Sequence, residues 1–275
     1  MKRKIEKIVS AFATNDGDGV KIKRSIGSKF LPQLDPFLLL DELKSDEKAD
    51  YIGGFPAHPH RGFETVTYML EGQMRHKDSV GNEGVIQAGD IQWMTAGSGI
   101  IHSEMPEQTE GRLWGFQLWT NLPASEKMRE PRYQEIASNE IPEIIRGTNK
   151  IRVLAGEFEG VKGAVQDIST QPLLLDIQLD KGTRQAVNVP KQHTAIVYVY
   201  RGKLSIGDYS LHSQQLAVLS VGDVIDLTAA DEELGVLLLA AAPLAEPIAR
   251  MGPFVMNTQE ELQEAYLDYQ NGRFA

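Results

Sequence analysis

The sequence contains no cysteine. Disulfides, zinc–thiolate sites, iron–sulfur clusters and cysteine nucleophiles are excluded together, so any metal must be held by His, Asp, Glu or backbone oxygen. Positive charge is also scarce: 28 Lys and Arg face 38 Asp and Glu, for a formal net charge of −10. Phosphate backbones are bound by concentrated basic faces, so direct nucleic-acid binding is not expected. Long apolar runs are missing too. The longest, Gly235 to Ala245, falls well short of the ~20 residues needed to span a bilayer. The basic start, MKRKIEKIVSAFATNDGDG, never develops the apolar stretch of a signal peptide. The expectation is a cytoplasmic, monomeric protein without membrane association.

What is present reads as β-structure. With 275 residues, 41% hydrophobic and 24% charged, the chain has room for two globular domains. Glu64–Leu70 is β-branched and aromatic and stops at Glu71-Gly72; Ile91–Thr95 follows the turn Ala88-Gly89-Asp90. Leu113–Thr120 alternates bulky residues and ends at Asn121-Leu122-Pro123. Helical periodicity enters only at the end. Thr258 and Glu261 have capping-box spacing, and Leu262, Ala265, Tyr266 and Tyr269 follow at i, i+3, i+4, i+7. One C-terminal helix is predicted.

The chain also resembles itself. TVTYMLEGQM at 65–74 matches AIVYVYRGKL at 195–204, and IQAGDIQWMTA at 86–96 matches LSVGDVIDLTA at 219–229. Two tandem β-barrels of one design explain this, divided as 1–137 and 138–275 with the helix at the end of the second.

Six histidines occur in all, and two short segments gather half of them: His58-Pro59-His60 and His102-Ser103-Glu104. Side chains alternate faces along a strand, so each pair points one way, with its members roughly 6–7 Å apart. A lone pair of this kind means little. Two same-face polar pairs aimed into one barrel would bury imidazole and carboxylate without compensation unless they shared a cation. Three imidazoles and a carboxylate suit one divalent first-row metal with positions left open. His58, His60, His102 and Glu104 are therefore the candidate metal ligands. Glu64 shares parity with His60 but lies ~13 Å further along an extended strand, reaching the site only if Gly62 bends the chain. His76 and His212 have no paired neighbour and read as surface residues. Carried onto the second repeat, the histidines map to Asn188, Pro190 and Gly235 and Glu104 maps to Leu237, so the second barrel is expected to hold no metal.

The segments at 58–68 (HPHRGFETVTY), 96–106 (AGSGIIHSEMP), 115–123 (GFQLWTNLP) and 130–135 (EPRYQE) resemble pirin motifs, as do 252–258 (GPFVMNT) and 271–274 (NGRF). The resemblance runs from about residue 30 to the end and is looser in the middle of the second repeat. It implies a bicupin, an all-β pair of tandem cupin barrels with one metal in the first, most often Fe2+, on His58, His60, His102 and Glu104. It also implies two kinds of activity: opening of flavonols such as quercetin by O2 with release of carbon monoxide, or a redox-responsive regulatory role exerted through a protein partner. A site retained only as a metal-stabilised scaffold is a third possibility. For such a substrate, Glu104 is the candidate catalytic proton acceptor as well as a ligand, and Phe55, Met69, Trp93 and Met94 are the candidate walls, although strand parity turns some of them outward.

Overall fold

The computed structural model describes residues 1–108 and 110–274. The described residues are mostly β-strand, with one α-helix among them at Gln259–Gln270, and no helix among them is long and apolar enough to cross a membrane. Two compact units emerge. The first-barrel unit comprises Ala13–Ser28, Phe37–Ser138 and the segment from Leu244 to the C-terminus; the second-barrel unit comprises Met1–Phe12, Lys29–Pro36 and Asn139–Pro243. Neither is one stretch of chain. The helix, expected with the second barrel, belongs to the unit of the first.

In the first-barrel unit a seven-stranded sheet runs in the order Arg132–Ile136, Ile91–Thr95, Phe63–Glu71, Leu113–Asn121, Phe37–Ser45, Val20–Ile26, Phe12–Asp16. A four-stranded sheet of Phe55–His60, Ile100–Pro106, Met74–Asp78 and Glu83–Ile86 accompanies it. Its apolar core, built on Val20, Ile22, Leu43, Met69, Met74 and Leu113, leaves much of the interior polar. The second-barrel unit repeats the pattern. Its seven-stranded sheet runs Ile5–Ser10, Gln215–Leu219, Thr194–Arg201, Leu234–Ala241, Leu173–Leu179, Asn149–Ala155, Glu143–Arg146. Its four-stranded sheet runs Arg184–Asn188, Val224–Ala229, Lys203–Ile206, Tyr209–His212.

The two units share these sheet orders strand for strand, and the correspondence differs from the one the sequence repeats suggest. Phe55–His60 corresponds to Arg184–Asn188, and Ile100–Pro106 to Val224–Ala229. Comparing 86–96 with 219–229 had matched a strand of the larger sheet with one of the smaller. Asn188 is also one residue out of phase, and a one-residue slip turns a side chain to the other face. It is exposed. His102 stands opposite His58, as Ile225 stands opposite Val187. The inward positions equivalent to His58, His60, His102 and Glu104 are thus Val187, Val189, Ile225 and Leu227, all in the buried apolar core. Where the first barrel is polar, the second is oil. Leu227→Ala is expected to cost ~2–5 kcal/mol of stability, as for other buried leucines, while metal content per folded chain stays unchanged. Denaturant melts and elemental analysis check both halves.

The C-terminal segment braces the candidate site. The capping box forms: Glu261 N–H donates to Thr258 Oγ1 at 3.2 Å and Thr258 N–H to Glu261 Oε2 at 3.0 Å. Leu262 and Ala265 are buried and pack with Phe254, Met256, Phe274 and Ile101, the last lying next to His102. Tyr266 and Tyr269, on the predicted apolar stripe, are exposed. Arg61, next to His60, donates to the Ser98 carbonyl at 2.6 Å and to Asp268 of the helix at 2.9 Å. Buried Lys127 donates from Nζ to the carbonyls of Gly62 (2.7 Å) and Val255 (3.0 Å) and to Asn121 Oδ1 (2.7 Å). Burial pushes the Lys127 ammonium down to about 8, and these three acceptors are what it has in place of water.

Candidate metal centre

His58 and His60 lie on the strand Phe55–His60, and His102 and Glu104 on its antiparallel neighbour Ile100–Pro106. Gly62 ends the first of these strands. Its φ is +86°, which favours glycine, and a Cβ there would stand 2.1 Å from the Val255 carbonyl oxygen. Beyond this turn the chain enters the larger sheet, so the phase counted from His60 is lost.

Three imidazoles converge. Ring centroids are 4.6 Å apart for His58 and His60, 4.5 Å for His58 and His102, and 5.0 Å for His60 and His102. One nitrogen from each lies within 4.8 Å of the others. His58 Nδ1 is 2.8 Å from the Pro56 carbonyl, which takes its proton and leaves Nε2 as the donor of an electron pair. Neither nitrogen of buried His102 has a hydrogen-bond partner, and the Pro253 carbonyl comes near His60 without completing one. Burial, then the neighbouring imidazoles, holds His60 and His102 well below the ordinary histidine range. Two buried neutral rings with unpaired nitrogens, and a half-buried third that offers Nε2, are a donor set that fits a divalent metal.

Glu104 stands on the same strand, two residues past His102, and is buried. Its Oε1 is 2.8 Å from Thr67 Oγ1, and its Oε2 accepts from Gln117 Nε2 at 3.0 Å. Thr67 Oγ1 is equally close to Gln117 Oε1, 2.8 Å away. A hydroxyl has one proton, so Thr67 serves one acceptor at a time, and turning to Gln117 frees an oxygen of Glu104. Glu64 is placed differently. Its Oε1 accepts from Thr95 Oγ1 at 2.7 Å, and it sits on the strand face opposite Thr67, away from the imidazoles. Burial pushes its carboxyl up.

His76 is a correction. It is fully buried, not a surface residue, and its Nε2 meets the Glu135 carboxylate while its ring lies 5.5 Å from that of Tyr133. Register places it beside Glu104 and places Asp78 beside His102. Alternation in Met74-Arg75-His76-Lys77-Asp78 carried this signal, because His76 is in phase with an apolar residue and out of phase with two cations. His212 is exposed as expected.

His58 and His60 open onto a cavity of about 530 Å³ within the first-barrel unit, a size suited to a drug-sized ligand. His58, His60 and Glu104 share its wall with Leu39, Leu43, Phe55 and Trp119, and with the charged Asp16, Arg24, Asp41 and Arg250. Of the expected aromatic-binding residues only Phe55 lines it. Met69 lines a separate small pocket with Phe55 and Glu104, while Trp93 and Met94 are packed in buried positions elsewhere. Sequence reading missed Gln117, Trp119 and Arg250. The first two are visible as alternate residues of one strand, but nothing local marks Arg250.

A pH dependence follows from the buried rings. An unfolded chain binds a proton on each histidine below ~6.5, whereas the fold keeps His60 and His102 neutral. The unfolded state then holds more protons, so stability falls as pH drops. Each ring contributes a slope approaching ~1.4 kcal/mol per pH unit. Metal-free protein should therefore lose stability between pH 7 and 5, and the double variant His60→Asn/His102→Asn should flatten the curve. Equal slopes in denaturant titrations of the two proteins would contradict this.

Two family models match the chain: pirin over residues 19–120, and the pirin C-terminal cupin domain over 174–275. A pirin-like protein of Caulobacter vibrioides is 47% identical over 274 residues, covering 99% of both chains. The crystal structure of a quercetin 2,3-dioxygenase from Acinetobacter baumannii superposes with a TM-score of 0.92 at 36% identity, covering 100% of this chain and 99% of that one. A bacterial pirin from Escherichia coli, in complex with nickel(II), shares the fold at 22% identity and a TM-score of 0.69, covering 86% of this chain and 98% of its own. With both cupin domains matched and the fold shared from end to end, the chain belongs to the pirin family.

Proposed function

We propose that the protein is a metal-dependent dioxygenase that opens flavonols such as quercetin with O2, using one metal on His58, His60, His102 and Glu104. The observation that carries the reading is the convergence of three imidazoles, two of them buried with unpaired nitrogens, beside a 530 Å³ cavity that His58 and His60 line. When bound, a redox-active divalent metal, with iron the family's usual choice, supplies Lewis acidity and an electron path between flavonol and O2. The residues of the chain do the rest. Glu104, at the cavity wall, takes the proton of the substrate's 3-hydroxyl, and Thr67 and Gln117 steady the carboxylate before and after. Leu39, Leu43, Phe55 and Trp119 hold the aromatic rings and exclude water from the reacting carbon–carbon bonds.

Oxygen uptake and carbon monoxide release, measured with quercetin on iron-loaded and on metal-free protein, test the reading. One CO per O2 is expected from the loaded protein and neither from the stripped one. Absence of turnover at full loading would defeat it and leave the regulatory reading in its place.

A further inference from the structure

The cavity wall carries two guanidiniums with unlike surroundings. Arg24 is committed: Nε and Nη2 hold Asp41 in a fork at 2.9 and 2.7 Å, and Nη2 also reaches Asp16 at 2.6 Å. Arg250 has no such partner. Its one side-chain hydrogen bond among the described residues runs from Nη1 to the Leu38 carbonyl at 3.3 Å, and its guanidinium carbon sits 4.9 Å from the centre of the Trp119 ring. Trp119 in turn meets His60 edge-on at 5.2 Å. One aromatic ring thus links an imidazole of the candidate centre to a guanidinium with unused donors, and all three line the same cavity.

The charges of that wall add a second argument. Arg24 and Arg250 face Asp16, Asp41 and Glu104. The protein groups alone leave one negative charge, and a bound dication turns this into one positive charge. A monoanion restores neutrality. The donor fork of arginine suits planar, ionised oxygen groups, and its place over the Trp119 ring keeps the guanidinium at this wall.

We infer that Arg250 is a specificity-determining residue that selects a monoanionic aromatic ligand, one whose ionised oxygen, carboxylate or phenolate, the guanidinium binds. The inference rests on the reading of this cavity as the seat of an aromatic substrate, and it narrows the class of that substrate.

Anaerobic binding to metal-loaded protein, followed by tryptophan fluorescence, tests it without turnover. The probes are naphthalene-2-carboxylate against naphthalene-2-carboxamide, and quercetin against its 7-O-methyl ether. In the wild type the ionisable member of at least one pair should bind more tightly, by roughly three- to tenfold for a charge pair that solvent still reaches. A preference confined to the first pair assigns the anion to a carboxylate, and one extending to the second assigns it to a phenolate. Arg250→Gln should erase the preference and Arg250→Lys should keep part of it. Stripping the metal should shrink it without any substitution, which supplies a test even if the Gln variant folds poorly. Equal affinities within both pairs in the wild type, or an undiminished preference in Arg250→Gln, would overturn the inference. Failure of quercetin turnover with the preference intact would defeat only the dioxygenase reading.

Discussion

Glu104→Gln is expected to lower quercetin turnover by ~10²–10⁴-fold at matched metal content, the usual loss for a positioned general base. Glutamine keeps the shape and still accepts from Thr67, but it cannot take the proton of the 3-hydroxyl. Glu64→Gln is the control. Its carboxylate is buried and held by Thr95 on the other face of its strand, and burial already pushes it toward the neutral form. A neutral amide there should cost turnover ~10-fold or less. Oxygen uptake by the two variants, normalised to iron, separates the roles. A larger loss from Glu64→Gln than from Glu104→Gln would reverse the assignment, and equal losses would remove the special status of Glu104.

His102→Ala is expected to remove most of the bound metal from a wild type that holds about one ion per chain. His102 closes the set, with ring centroids 4.5 and 5.0 Å from His58 and His60, and it is buried, so no solvent group replaces it. His58→Ala should act in the same direction. Elemental analysis after dialysis gives the content, and circular dichroism shows that the barrels persist. Metal-induced thermal stabilisation should disappear in parallel, since a ligand stabilises only the state that binds it. Full occupancy in a folded His58→Ala/His102→Ala variant would sink the site.

Much of the candidate centre was legible because its chemistry is written in short segments. His58 with His60, and His102 with Glu104, share faces by the period of two that any strand imposes. The capping box at Thr258 and Glu261 is equally local, and it forms as the spacing predicts. The repeat of 65–74 at 195–204 announced two barrels of one design. Each of these signals is contained within about ten residues, where backbone geometry alone decides which way a side chain points.

What the sequence left open depended on which strands lie side by side. Glu64 shares parity with His60 on paper, yet the left-handed turn at Gly62 carries it into the other sheet. His76 looks solitary until register sets it beside Glu104 and across from Glu135. The second barrel's equivalents, Val187, Val189, Ile225 and Leu227, emerge only from sheet order, because offsets drift as loops change length and one residue of drift reverses a face. Arg250 comes nearly 150 residues after Glu104 by sequence number, and no periodicity ties it to the cavity it lines. The sequence by itself determined the candidate ligand types, their pairing within each strand and the repeated β design. Tertiary structure decided which pairs meet, what stands beside them and which charge remains free to choose a ligand. The reason is physical: alternation is a property of one strand, whereas convergence is a property of hydrogen-bonded neighbours that lie far apart in the chain.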